Sequence, residues 1–96
     1  MSELAEKVRE KVSKVIDPET GMTLGEMNVI RNVKDEGKGI IRVDFKPTSP
    51  FCPIALKLAT DIKRAAESVE GVKKALVYCH EHIMEEAINK VVNRED

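Results

Sequence analysis

Apolar residues recur along the chain at helical spacing in three separate segments. In residues 3–16 apolar side chains recur at helical spacing, with charged side chains between them, as in an amphipathic helix. The same spacing predicts a main helix over residues 53–69 and a last helix over residues 83–92. Asp17-Pro18 should end the first helix, because proline disfavours helical angles in the residue before it. The inward face predicted for the last helix consists of Ile83, Met84, Ala87, Ile88 and Val91.

Three further segments have the pattern of strands. Residues 28–34 and 40–46 are rich in strand-forming residues, and the second alternates apolar with charged side chains. A turn at residues 35–39 joins them as an antiparallel hairpin, and residues 73–79 form the third strand. The predicted order is helix-strand-strand-helix-strand-helix. This is an α+β, two-layer fold in which helices pack on a small mixed three-stranded sheet.

Length and composition fit a single domain over residues 1–96. The chain is 42% hydrophobic and 34% charged, so much of the charge should lie on solvated helix faces. Net charge is −1, no basic block is present and aromatic residues are scarce, which argues against nucleic-acid binding. No apolar run approaches the ~20 residues of a membrane span, and residues 1–4 lack the pattern of a signal peptide. We therefore expect a cytoplasmic protein with no membrane contact.

Several chemically useful side chains should meet at one edge of the sheet. A helical crossover normally joins parallel strands by a right-handed path, so the second and third strands should end at the same edge. Cys52 follows the second strand, and Cys79 and His80 follow each other at the end of the third. The first strand runs antiparallel, so the loop before it brings Asp17 and Glu19 to this edge. Ligands of open α/β sheets bind outside the carboxyl ends of strands.

Cys52 is the main candidate for a functional group. Pro53 suits the first position of a helix, which places Cys52 near the N-cap, where backbone N–H groups and the helix dipole favour a thiolate. Thr48 lies in the same turn and is able to hydrogen-bond there. Thiolate is also the form that binds iron or zinc. In a reducing compartment Cys52 and Cys79 should stay unpaired, and Cys79 shares its strand face with apolar residues, which favours a place in the core.

The end of the third strand leaves two interpretations open. Cys79, His80 and His82 lie at spacings that allow metal binding, since residues two apart on a strand share a face. No known zinc pattern is present, however, so surface and capping roles are the alternative. Asp17 and Glu19 are open to the same choice, because acidic residues at this position often serve only to shape a turn.

Three short motifs stand out together. They are Asp17-Pro18-Glu19, Leu24-Gly25-x-Met27 leading into a strand, and Thr48-Ser49-Pro50-Phe51-Cys52-Pro53 opening a helix. In this combination the chain resembles the iron–sulfur cluster assembly domain family, which includes SufT, PaaD and the human MIP-eighteen protein and was formerly called domain of unknown function fifty-nine. The resemblance covers roughly residues 3–80. Its most specific part is the Thr-x-x-x-Cys-Pro element, residues 48–53, after the strand hairpin.

The resemblance implies a role in maturing iron–sulfur proteins through protein contacts. It implies that Cys52 is the reactive cysteine, that Thr48 is the threonine preceding it, and that Asp17 and Glu19 form the acidic turn of the binding site. Many members continue with a Pro-Trp segment that this sequence lacks. Residues 79–82 take that place here and add a cysteine and two histidines beside the expected site.

Three functions are compatible with these features. The main hypothesis is a non-enzymatic accessory or carrier factor that binds iron or a transient iron–sulfur cluster through Cys52, with Cys79 and His80 as further candidate metal ligands. Its partners would be iron–sulfur client or assembly proteins, or a second copy in a homodimer, because one chain has too few thiolates for a cluster. The alternatives are a scaffold for a metalloenzyme complex, as in the PaaD branch, and a small thiol enzyme with Cys52 as nucleophile and His80 as base.

Overall fold

The elements of the fold follow the predicted order. The computed structural model describes residues 2–94. Its elements are α1 (Glu3–Ser13), β1 (Ile30–Gly37), β2 (Ile40–Phe45), α2 (Ala55–Glu67), β3 (Lys74–Cys79) and α3 (Glu85–Val92). The strands form a sheet of order β1-β2-β3, in which β1 is antiparallel and β3 is parallel to β2. The predicted α+β fold, including the parallel crossover, is confirmed, whereas the predicted domain of residues 1–96 extends beyond the described residues at both ends.

The core lies between the sheet and the helices. Alternation along β2 sends Ile41, Val43 and Phe45 to the helix side, where all three are fully buried. The next strand does the same with Ala75, Val77 and Cys79. Helix α1 packs on β1, and α2 packs on β3. Within residues 2–94, no helix combines the length and apolar composition that crossing a bilayer requires.

Helix α1 is shorter than predicted. It ends at Ser13 and not at residue 16, because the following loop folds back and the Ser13 carbonyl accepts the Gly25 N–H at 3.0 Å. Ile16, which the helical spacing placed on the apolar face, is 58% exposed and forms an isolated bridge with Thr23. Competition from these non-local backbone bonds overrides the local pattern.

The β1–β2 hairpin has a tighter turn than predicted. Strand β1 continues to Gly37, so two residues, Lys38 and Gly39, form the turn in place of residues 35–39. Both have positive φ angles, 58° and 82°, as a type I′ turn requires. The extra strand length is accommodated by a register shift between Asp35 and Gly37.

Helix α3 is fastened to the free edge of β3 by two asparagines. The Asn93 side chain accepts the Val77 N–H at 2.8 Å and donates to the Val77 carbonyl at 2.8 Å. Asn89 does the same for Cys79, at 2.6 and 3.2 Å. These bonds replace the neighbouring strand that an edge lacks. They also fix α3 beside the end of β3, where the candidate site lies.

Candidate functional site

Cys52 lies in the loop between β2 and α2 and is held there through its backbone. Its N–H donates to the Ser49 carbonyl at 3.2 Å, and its carbonyl accepts the Ala55 N–H at 3.4 Å. Helix α2 begins at Ala55 with Ile54 as its N-cap residue. Cys52 is therefore near the N-cap, as predicted, but lies two residues before it. Pro53 is not the first helical residue, because a separate turn, closed by the Cys52 carbonyl, precedes the helix.

The turn before Cys52 is stabilised by Ser49. The Ser49 hydroxyl accepts the Phe51 N–H at 3.1 Å. Thr48 is exposed and does not form the hydrogen bond that its position in this turn would allow. Thr48 instead lines a shallow depression beside Pro47 and Pro50. Its part in binding stays a prediction.

His82 ties the Cys52 loop to the segment before α3. Its Nε2 donates to the Cys52 carbonyl at 2.9 Å, and its Nδ1 accepts the Met84 N–H at 3.0 Å. A carbonyl only accepts and a backbone N–H only donates, so the ring proton sits on Nε2. The Ile83 N–H also donates to the Pro50 carbonyl at 3.0 Å. Both ring nitrogens are thus engaged in positioning Cys52, a role that the sequence reasoning, which treated His82 as a candidate ligand, missed.

Beside Cys52 an apolar groove runs between the start of α2 and α3. We call it the Cys52 groove; its volume is about 370 Å³. It is lined by Phe51, Cys52, Pro53, Ala55, Leu56, His82, Ile83, Met84, Ala87, Ile88 and Val91. Five of the seven exposed large apolar side chains among the described residues lie in it, and these five are Phe51, Leu56, Ile83, Met84 and Val91.

The apolar lining of the groove results from the orientation of α3, which differs from the predicted one. Ile83, Met84, Ala87 and Val91 were predicted to face inward with Ile88, but of these five Ile88 alone is buried. The two asparagines that bind β3 decide the rotation, since they turn the Ile88 and Val92 side of the helix towards the core. The remaining apolar residues are left at the surface.

Cys79 belongs to the core, as predicted. Its side chain is fully buried. Burial, followed by the nearby charges of Glu85 and Cys52, raises the pKa of the Cys79 thiol to about 11. The thiol is therefore protonated at neutral pH and shielded from solvent. Neither property suits a metal ligand.

His80 faces the other side of the sheet. Its Nε2 lies 2.7 Å from Asp44 Oδ1, and the Arg42 guanidinium binds the same oxygen at 3.1 Å while stacking 4.2 Å over the Tyr78 ring. Burial raises the pKa of Asp44, but the hydrogen bonds from Arg42 and His80 outweigh it and hold that pKa below its ordinary value. Across residues 2–94 no hydrogen bond joins His80 to Cys52. The nucleophile–base pair that a thiol enzyme needs is not formed by these two residues.

The acidic turn shapes its own loop. Asp17 is buried, and its Oδ1 accepts the Glu19 N–H at 2.8 Å. Glu19 itself is exposed. In the described part of the chain, neither carboxylate is hydrogen-bonded or ion-paired to Thr48 or Cys52. Their predicted role in binding is supported by the motif alone and stays a prediction.

The candidate metal ligands are directed to different places. Cys52 opens to the groove, Cys79 to the core, and His80 towards Asp44. Among residues 2–94, no group of three or more His, Cys, Asp or Glu side chains is placed to hold a metal ion. One chain therefore presents one partly exposed thiol, whereas iron–sulfur clusters usually bind about four ligands. The other ligands of a cluster would have to come from another molecule.

Comparison with known proteins adds a family. The model of a family described as iron–sulfur cluster assembly protein matches residues 5–77. An uncharacterized protein of Methanocaldococcus jannaschii is 33% identical over 91 residues, which cover 95% of this chain and 96% of the relative. A protein of Porphyromonas gingivalis named Fe-S protein maturation auxiliary factor is 36% identical over 59 residues, 62% of this chain and 56% of its own length. YitW of Bacillus subtilis, which has the same description, is 25% identical over 75 residues, 78% of this chain and 74% of YitW.

Two solved structures share the fold. A domain of unknown function, DUF59, from Bacillus anthracis superposes with a TM-score of 0.75 at 21% identity, covering 93% of this chain and 87% of that one. Rv1466 of Mycobacterium tuberculosis, described as associated with Fe-S complex assembly and repair, superposes with a TM-score of 0.52 at 20% identity, covering 100% and 97%. At these identities the likeness shows the fold alone.

Proposed function

The chain belongs to the iron–sulfur cluster assembly protein family, and on this basis we propose that it is an accessory factor that carries or positions iron–sulfur clusters through Cys52. Two relatives bear the name of maturation auxiliary factors, which supports an accessory role. The observation that carries the proposal is the thiol itself. Cys52 lies in the matched segment, is partly exposed, and opens into an apolar groove. Its partners are iron–sulfur client or assembly proteins in the cytoplasm.

The surroundings of Cys52 favour transient carriage over permanent binding or catalysis. A single accessible thiol leaves most cluster positions to thiols of another molecule, so the cluster can be exchanged by replacing ligands. The two histidines of the chain are otherwise engaged, His80 with Asp44 and His82 with the Cys52 backbone. Neither holds a nitrogen against the Cys52 sulfur as a general base, which supports a non-enzymatic role. Thr48, Asp17 and Glu19 are proposed to help shape the binding edge.

Anaerobic reconstitution tests the proposal. The purified protein is treated with ferrous iron and sulfide in the presence of glutathione, whose thiol can fill the positions that Cys52 leaves open. Iron content and visible absorbance are compared among wild type, Cys52→Ser and Cys79→Ala. We expect a cluster in wild type and in Cys79→Ala, and its loss in Cys52→Ser. Equal cluster content in Cys52→Ser, or no cluster in any variant, would overturn carriage through Cys52 by the isolated protein.

The groove favours a second candidate, a scaffold that assembles client complexes without binding the cluster. Its exposed apolar side chains suit protein contact whether or not the thiol takes part. Complementation separates the two functions. In cells that lack this protein, full maturation of iron–sulfur enzymes by Cys52→Ser would support the scaffold, whereas failure of a stably folded Cys52→Ser protein would support the carrier.

A further inference from the structure

The shape and charge of α3 point to a specific occupant of the Cys52 groove. We propose that a second copy of this chain binds there, with the two α3 helices antiparallel about a twofold axis near Ala87. The inference rests on the proposed function, because such a pair brings two Cys52 thiols to one interface. It adds the surface and the partner that bring a second thiol to the site.

The first support is the amount of exposed apolar surface. The five large apolar side chains of the groove are between 42% and 68% exposed. Together they leave on the order of 500 Å² of apolar surface in water, at the upper end of what a monomer shows. Pairing two such surfaces buries about 1,000 Å², which is the lower limit for a specific interface. The pair should therefore be weak and reversible.

The second support is the spacing of the residues along α3. Met84, Ala87 and Val91 lie on the outward side of the helix. Met84 precedes Ala87 by three residues and Val91 follows it by four, so an antiparallel copy with the axis between positions 87 and 88 places Met84 of each chain opposite Val91 of the other. Ala87 meets its own counterpart, and its small side chain lets the helices approach closely. A twofold interface needs such self-complementarity.

The third support is the charge beside this stripe. Glu86 and Lys90 are both exposed and lie one helical turn apart on the same border of the apolar residues. In the antiparallel arrangement, Glu86 of each copy faces Lys90 of the other. A surface built for an unrelated client has no reason to be complementary to itself, and this favours a second copy.

Pairing also changes the chemistry of the site. Cys52 lines the same groove, and the buried Cys79 is inaccessible, so each copy contributes one thiol to the interface. Two of a cluster's roughly four ligand positions are then filled by the pair. The remaining positions are left for thiols of the donor or acceptor protein, as transfer requires.

Sedimentation equilibrium tests the interface by charge exchange. Wild type should associate reversibly in the micromolar range, and Glu86→Lys or Lys90→Glu alone should weaken association about tenfold, because two attractive contacts become repulsive. A one-to-one mixture of the two variants should recover the wild-type constant, since the mixed pair again places opposite charges across the interface. Loss of a contact within one helix would not be repaired by mixing.

The control is Glu10→Lys, which reverses a charge on α1 that lies 3.5 Å from Lys14 and away from the groove. It should leave association unchanged. Wild type that stays monomeric at high protein concentration, or variants that fail to associate when mixed, would overturn the interface. In that case the groove is a client site.

Crosslinking tests whether the two thiols share the interface. A short bis-maleimide should give covalent dimers of wild type and none of Cys52→Ser, since Cys79 is buried. A reversible dimer that is not crosslinked would overturn the shared-thiol arrangement. The two proposals fail separately. If the protein is monomeric but assembles a cluster through Cys52, only the dimer proposal is wrong. If it forms the dimer but assembles no cluster, only the carrier proposal is wrong.

Discussion

The carbonyl of Cys52 is held by a hydrogen bond from a distant residue, His82. The His82 ring, fixed in turn by the Met84 N–H, holds that carbonyl. His82→Ala should release the loop and speed alkylation of Cys52 about fivefold, the equivalent of one hydrogen bond of roughly 1 kcal/mol. The measurement is the iodoacetamide reaction rate of the folded protein. His80→Ala is the control and should leave the rate unchanged, because His80 binds Asp44 on the opposite face.

If His80→Ala slowed alkylation and His82→Ala had no effect, His80 would be the residue that acts on Cys52. That outcome would contradict the positioning role of His82 and revive the thiol enzyme as an interpretation.

Asp44 is a buried carboxylate that two basic side chains stabilise. Its pKa is lowered below 3.8, since the Arg42 and His80 hydrogen bonds exceed the opposing effect of burial. The contribution of these bonds to stability is therefore complete above about pH 4 and is lost as pH falls through the lowered pKa. Asp44→Asn should cost about 1–2 kcal/mol at pH 7 by urea unfolding. The difference in unfolding free energy between wild type and Asp44→Asn should become smaller as the pH falls below about 4.

The control is Asp61→Asn, which removes a surface ion pair with Lys57. Exposed pairs of this kind contribute a few tenths to about 1 kcal/mol. An Asp44→Asn cost no larger than that of Asp61→Asn, or one that does not change with pH, would contradict the role given to the network.

At the scale of elements, the orientation of α3 is set by polar contacts that the hydrophobic periodicity of the sequence does not reveal. The backbone N–H and C=O groups of β3 that point away from β2 are bound by side chains. Lys63 and Glu67 bind those of Ala75, and the two asparagines bind those of Val77 and Cys79. Asn89→Leu and Asn93→Leu keep side-chain volume but leave an N–H and a carbonyl without a partner. Each should lower the free energy of unfolding by about 2 kcal/mol. Urea unfolding measures this cost.

Hydrogen exchange gives the local check. Asn93→Leu should speed exchange of the Val77 amide, and Asn89→Leu that of the Cys79 amide. Asn32→Leu, on the exposed side of β1, should change stability by less than about 0.5 kcal/mol. Uniform loss of protection across the sheet would argue that the asparagines stabilise α3 in general and not the two amides that they bind.

These contacts also explain what the sequence could and could not predict. The order of elements, the parallel crossover and the place of Cys52 after β2 follow from periodicity and connection rules, and the structure has them. The end of α1 and the rotation of α3 depend on bonds between distant residues, such as Ser13 with Gly25 and Asn93 with Val77. The sequence signal for the orientation of α3 was the pair of asparagines four residues apart in this helix. Nothing in the sequence indicates which strand they bind.

At the scale of the whole molecule, the fold places its two cysteines in opposite environments. One opens to the groove, and the other is buried in the core between the sheet and the helices. The parallel register that pairs Phe45 with Cys79 carries the second thiol into the core. The candidate edge is therefore a real feature of the topology, but side chains that share this edge are divided among the groove, the core and the outer face.

The buried thiol makes global stability sensitive to alkaline pH. An unfolded Cys79 ionises near 9.0, whereas burial raises its folded pKa to about 11. The thiol favours the folded state fully below pH 9, and this advantage is lost as pH rises towards 11 because the unfolded chain releases its proton first.

Unfolding free energies of wild type and Cys79→Ala should differ by a constant up to pH 9. Above it, wild type should lose up to about 2 kcal/mol relative to the variant. Val77→Ala, a loss of volume in the same strand without a titrating group, should stay parallel to wild type throughout. If Cys79→Ala is also parallel to wild type through pH 11, the thiol is not held in its protonated form by the core.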